Sequence, residues 1–159
     1  MPQDQETLEK ELRRHMREGR APLIQAVCDT YEPFLLAKKG WERKNAELRE
    51  QVGLLNNQFS TKGKQLRESS RKSTDSGAGM VDLYKDLSRQ AKAVSTLIDK
   101  ELPNLVKLYE PVGELYARYQ EAMNAYNAFM ATWVGRLPES DLNGRALELA
   151  VQEIERSLR

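Results

Sequence analysis

The stretch LYEPVGELYARYQEAMNAYNAFMATW, Leu108 to Trp133, decides how the chain is read. Leu108, Val112, Leu115, Tyr119, Ala122, Tyr126, Phe129 and Trp133 step alternately by four and three, the rhythm of a helix that buries one continuous seam. Pro111 and Gly113 stand inside that rhythm although both disfavour a helix interior. A seam that persists through such residues is expected where both sides of a bend must stay buried.

The seam extends backwards through Tyr84, Leu87, Ala91, Val94, Ile98, Glu101 and Leu105, with Glu101 as its one polar member. A second seam precedes it: Ile24, Val27, Tyr31, Phe34, Lys38, Trp41, Asn45, Leu48, Val52, Leu55 and Phe59. Leu8, Leu12 and Met16 follow a different phase, and Gly19 and Pro22 separate them from it. The spacing therefore predicts a short helix over 4–19 and a longer one over 22–59. Between the seams, STKGKQLRESSRKSTDSGAGM has almost no apolar residue and predicts a flexible basic loop over 60–79. After Pro138, with Ser140 or Asp141 as a cap, a last helix over 140–158 would turn Leu142, Ala146, Leu149, Ile154 and Leu158 to one side.

Composition agrees with an all-α fold. Good helix formers dominate, and glycine (9) and proline (6) are too scarce for a many-turned β-protein. Two helices joined by a loop pack antiparallel. With the loop centred near 69–70, Phe59 would face Met80, Trp41 would face Ile98, and Ile24 would face Leu115. The expectation is one helical domain over 1–159: a long antiparallel helical hairpin, or coiled-coil stalk, of 22–59 with 80–116. It would end in a three-helix bundle of 4–19, 117–136 and 140–158. Pro22, Pro33, Pro103 and Pro111 would fall in one band where stalk becomes bundle. The small Ala91, Val94 and Ile98 suit a narrow two-helix contact, and the large Tyr119, Tyr126, Phe129 and Trp133 suit a core widened by a third helix.

The formal charge is +1 over 159 residues, so nothing global calls for nucleic acid or an anionic membrane. The basic excess is local: residues 60–79 carry five basic and two acidic side chains, net +3. Cys28 is the only cysteine, which excludes an internal disulfide and suits a reducing compartment. The charged N-terminus does not read as a signal peptide, and no apolar run reaches the ~18 residues of a membrane span. A soluble cytoplasmic protein is expected.

Catalytic patterns are missing: there is no phosphate-binding glycine loop, no H-E-x-x-H and no C-x-x-C. His15, the only histidine, lies on a charged stretch and reads as solvated. Cys28, beside Val27, reads as a small buried hydrophobe. No catalytic, cofactor or metal site is expected, and the chain reads as non-enzymatic.

Three features could carry function. Lys62, Lys64, Arg67, Arg71 and Lys72 could contact lipid headgroups, nucleic acid or an acidic protein surface, or simply keep a linker in solution. Lys38 and Glu101 fall opposite one another in the expected register and could form an ion pair that fixes it. Phe34, Leu36, Trp41, Tyr109 and Tyr116 could leave an apolar groove for a partner helix. The first expectation is a scaffold or adaptor subunit that presents helical surfaces to protein partners, as a homodimer or within a helical complex. The alternative is a membrane- or polyanion-binding module acting through 62–72.

Overall fold

The computed structural model describes residues 2–71 and 77–159. The chain is all-α: helix α1 spans Pro2–Arg71, α2 spans Gly77–Ala131, a single 3-10 turn spans Glu139–Asp141, and α3 spans Arg145–Ser157. The two long helices pack against each other, and the chain forms two compact units. A terminal unit comprises Met1–Lys39 and Glu110–Arg159, and a central unit comprises Gly40–Tyr109.

Both long helices run unbroken through residues expected to separate or bend them. α1 passes Gly19, Pro22 and Pro33, so 4–19 and 22–59 are one helix. α2 passes Pro103, Pro111 and Gly113, so no helix boundary separates 80–116 from 117–131. All four prolines are exposed, and so are Glu18, Asp29, Asp99 and Lys107, whose carbonyls each proline leaves without a helical donor. On an outer face water can serve those carbonyls, while packing on the opposite face carries the helix across. The flexible loop expected over 60–79 is also corrected: 60–71 form the last three turns of α1. Lys, Gln, Leu, Arg and Glu in that stretch are good helix formers even where the apolar rhythm fades.

In the terminal unit, α1, α2, α3 and the segment before α3 share one core. Met16 and Val27 from α1 are the most deeply buried, at 1% and 0% exposure. They cluster with Tyr126, Met130, Trp133, Leu137 and Leu147, with Tyr119 and Phe129 packed against them. Full burial of a side chain of this size contributes roughly 1.5–3 kcal/mol. Gly19 lets α2 approach closely, because a Cβ there would lie 2.5 Å from Phe129 Cζ.

α2 stops at Ala131 rather than running to 136. Its end tightens through bonds from the Thr132, Trp133 and Val134 amides to the Phe129, Met130 and Ala131 carbonyls. Gly135 then takes a φ of 80°, a left-handed conformation that favours glycine, and the Arg136 and Leu137 amides turn back to the Trp133 carbonyl. This reversal delivers Leu137 to the core.

Ser140 and Asp141 belong to the 3-10 turn and do not cap α3, which starts at Arg145. Asn143 Oδ1 accepts the Arg145 amide at 3.3 Å instead. The inward face of α3 centres on Leu147, with Ala150, Val151, Ile154 and Leu158 half-buried, whereas Leu149 is exposed. Three polar links tie this end of the chain to α1: Arg13 Nε to Asp141 at 2.9 Å, Tyr31 Oη to Glu155 at 2.8 Å, and Lys39 Nζ to the Leu158 carbonyl at 3.1 Å. Their order along both segments makes α3 parallel to α1.

In the central unit, α1 and α2 run antiparallel. Trp41 meets Tyr109 with ring centroids 5.3 Å apart, and Lys62 Nζ lies 3.7 Å from Asp86. Trp41 therefore does not face Ile98; its partner lies about three helical turns further along α2. The terminal unit shows the same shift, with Phe34 against Tyr116 and Tyr31 against Tyr119. α1 runs on to Arg71, past the centre near 69–70 on which the expected register rested. Leu105 is the one buried residue among the described residues of the central unit. Two helices facing only each other cannot enclose more.

Candidate interaction surfaces

The basic cluster is ordered by helix geometry. Lys64, Arg67 and Arg71 stand at i, i+3 and i+7 on the last turns of α1, so they line one exposed stripe. Lys62 is set apart from them by its pairing with Asp86, which Arg89 Nη1 also approaches at 3.7 Å. Lys72 lies outside the described residues.

Beside that stripe the two helices form an apolar hollow. Leu66 and Arg67 from α1 line it with Met80, Val81 and Tyr84 from α2. Sequence reading placed Met80 and Tyr84 near or on the buried seam. Leu87 is half-buried as the seam expects, but the inward position before it is the half-buried Leu83, and Tyr84 is 66% exposed. The usable signal was the extra apolar residue in the MVDLY stretch: one helical face holds Leu83, and Met80, Val81 and Tyr84 are left for another.

The five residues expected to form a groove divide between the units. In the terminal unit, the Phe34 and Tyr116 rings lie 5.2 Å apart, and Tyr119 stacks on Phe34 at 5.9 Å with ring planes 5° apart. Tyr31 joins them, its ring 5.1 Å from Tyr119. Leu36 is exposed on α1. In the central unit, Trp41 and Tyr109 form the separate pair described above. Burial and the hydrogen bond to Glu155 push the Tyr31 phenol up to about 12. Burial also raises Tyr119, helped by the neighbouring Tyr116 and Glu155. This cluster is an aromatic contact between helices, knit to α3 by one phenol.

Lys38 is exposed in the terminal unit. Glu101, in the central unit, is half-buried and shares a shallow hollow with Lys44, Glu47, Leu48, Gln51 and Leu105. Their expected pairing rested on a reversal centred near 69–70, and neither unit keeps that register.

With the predicted Tyr109, two residues that sequence reasoning did not single out, Leu102 and Val106, stand at i, i+4 and i+7 on α2, all between 48% and 53% exposed. They form a second apolar stripe beside the buried Leu105 and the half-buried Glu101. Cys28 is half-buried, and burial, then the nearby Asp29 and Glu153, raises its thiol. That environment makes the thiolate scarce. No helix among the described residues is long and apolar enough to cross a membrane.

Comparison with protein-family models, curated proteins and solved structures found no match.

Proposed function

We propose that this protein is a non-enzymatic helical scaffold that binds protein partners, a second copy of itself first among them, along its two long helices. The arrangement that suits this role is an antiparallel hairpin whose two-helix stalk ends in a small three-helix bundle. The observation that carries the reading is the second apolar stripe on α2, where Leu102 and Val106 stand exposed and Tyr109, although its ring meets Trp41, stays about half open to water. Such a stripe at helical spacing is the surface another amphipathic helix covers. Two hairpins laid side by side would turn each two-helix contact into a four-helix core and remove these side chains from water.

Sedimentation equilibrium tests the reading. The wild-type chain is expected to self-associate with little dependence on salt, and Leu102→Ser with Val106→Ser to shift it towards monomer by about tenfold or more in Kd. A wild-type chain that stays monomeric at all concentrations, or a double variant that associates as tightly as wild type, would remove self-assembly from the proposal.

A further inference from the structure

The end of the central unit combines two properties that the scaffold reading does not use. The last three turns of α1, residues 60–71, carry Lys62, Lys64, Arg67 and Arg71 against Glu68 alone, four basic and one acidic, net +3. Lys62 is engaged by Asp86, whereas Lys64, Arg67 and Arg71 form an exposed row. Next to that row stands the apolar hollow, with Val81 at 51% and Tyr84 at 66% exposure. On α2, Asp82 and Lys85 offset one another there.

We propose that this end of the molecule docks on an anionic lipid bilayer, with Lys64, Arg67 and Arg71 at the headgroups and Met80, Val81 and Tyr84 at the acyl boundary. A row of cations beside an apolar strip is the layout of a helix that lies in the membrane interface. Each cation near an anionic leaflet contributes attraction that falls off within a Debye length. Tyrosine suits headgroup depth because its ring is apolar and its hydroxyl stays wet.

Charge argues against a second copy as the occupant, since two such ends would bring like rows together. The outward exposure of Val81 and Tyr84 argues against an acidic peptide, which would need walls to grip it. The proposal stands apart from self-association along Leu102 and Val106, so either can fail alone.

Co-sedimentation with vesicles tests it. The full chain is expected to bind vesicles of phosphatidylcholine containing about a third phosphatidylserine and not phosphatidylcholine alone, with affinity falling as salt rises. Lys64→Gln, Arg67→Gln and Arg71→Gln together are expected to weaken binding about a hundredfold. Val81→Ser with Tyr84→Ser should weaken it about tenfold or more, with helicity by circular dichroism unchanged because these side chains are exposed. Equal binding to both vesicle types, no binding to either, or a triple variant that binds like wild type overturns the proposal. So does binding to soluble polyglutamate as tight as to vesicles with the Val81, Tyr84 variant unaffected, which would assign the row to an acidic polymer.

Discussion

Two single residues show how local geometry decides the sign of an effect. Alanine at a mid-helix glycine gains up to about 1 kcal/mol from propensity alone. At Gly19 that gain meets Phe129, whose Cζ and Cε2 would lie 2.5 and 2.9 Å from the new Cβ. The Phe129 ring is also set against Trp133 at 6.1 Å, so it cannot swing aside without disturbing a buried neighbour. Overpacking of this kind costs about 1–3 kcal/mol. Gly19→Ala is therefore expected to lower stability by about 1 kcal/mol net, whereas Gly40→Ala and Gly53→Ala, with nothing within 4 Å, should raise it by about 0.5–1 kcal/mol. Urea denaturation of the three variants checks the opposite signs. Tyr31 supplies a pH signature. The fold favours its protonated phenol, which donates to Glu155, and lifts its ionisation from 10.0 to about 12. A group whose folded pKa is raised contributes fully below the unfolded value and loses that contribution as pH climbs through the folded one. Stability should thus fall between about pH 10 and 12, with Tyr119, raised in the same direction, adding to the slope. Tyr31→Phe is expected to cost about 1 kcal/mol at neutral pH and to flatten the alkaline fall. Denaturation curves across that range decide it, and an unchanged slope in the variant would place the effect elsewhere.

At the scale of a helix, the prolines separate local propensity from tertiary support. Pro33 lies inside α1 on an exposed face, one residue before Phe34, whose ring packs against α2. An interior proline costs ~3 kcal/mol or more, and α1 persists because the face carrying Val27, Tyr31 and Phe34 is held by its neighbours. Pro33→Ala restores a donor for the Asp29 carbonyl and removes the ring clash, so thermal unfolding should move up by several degrees, equivalent to about 1–3 kcal/mol. A lowered Tm would mean that the proline fits a distortion the packing requires. The same balance explains what could be read in advance. The three–four rhythm marked out both long helices, and the large residues Tyr126 and Trp133 are buried in one cluster with Met16, Val27 and Leu147. Helix ends were misread wherever propensity or a breaker was weighed without the packing partner: Gly19 and Pro22 do not end α1, and the polar stretch after Phe59 does not leave it. One position on the last helical segment differs for a related reason: Leu142, Ala146, Ile154 and Leu158 are half-buried as expected, whereas Leu149 is exposed. The apolar residues there fit two phases, and only contact with α1 and α2 selects Leu147 over Leu149. The apolar hollow at Met80, Val81 and Tyr84 was hidden because one helix carries two apolar faces there, and periodicity alone names only one.

At the scale of the whole chain, the proposed hairpin turns on whether the paired helices belong to one molecule. The register itself offers the probe. Lys62 and Asp86 approach to 3.7 Å, close enough for a zero-length carbodiimide link between amine and carboxylate. In the register expected from a reversal near 69–70, Lys62 would face residue 77, a glycine with no carboxylate, so the link also distinguishes the two alignments. Mass spectrometry of digested, cross-linked protein is expected to yield a Lys62–Asp86 peptide pair. Repeating the reaction on chains unfolded and refolded as a mixture of nitrogen-isotope-labelled and unlabelled protein tests connectivity. A hairpin gives linked peptides with both halves labelled or both unlabelled, even if hairpins then associate side by side, because the ion pair lies within each one. Exchange of α1 between two chains would give mixed pairs in about half of the products, since either partner is equally available under mass action. Mixed pairs would leave every contact described within the central unit intact while assigning its two helices to different molecules. The α2 stripe of Leu102 and Val106 would then have to serve a higher assembly than a dimer.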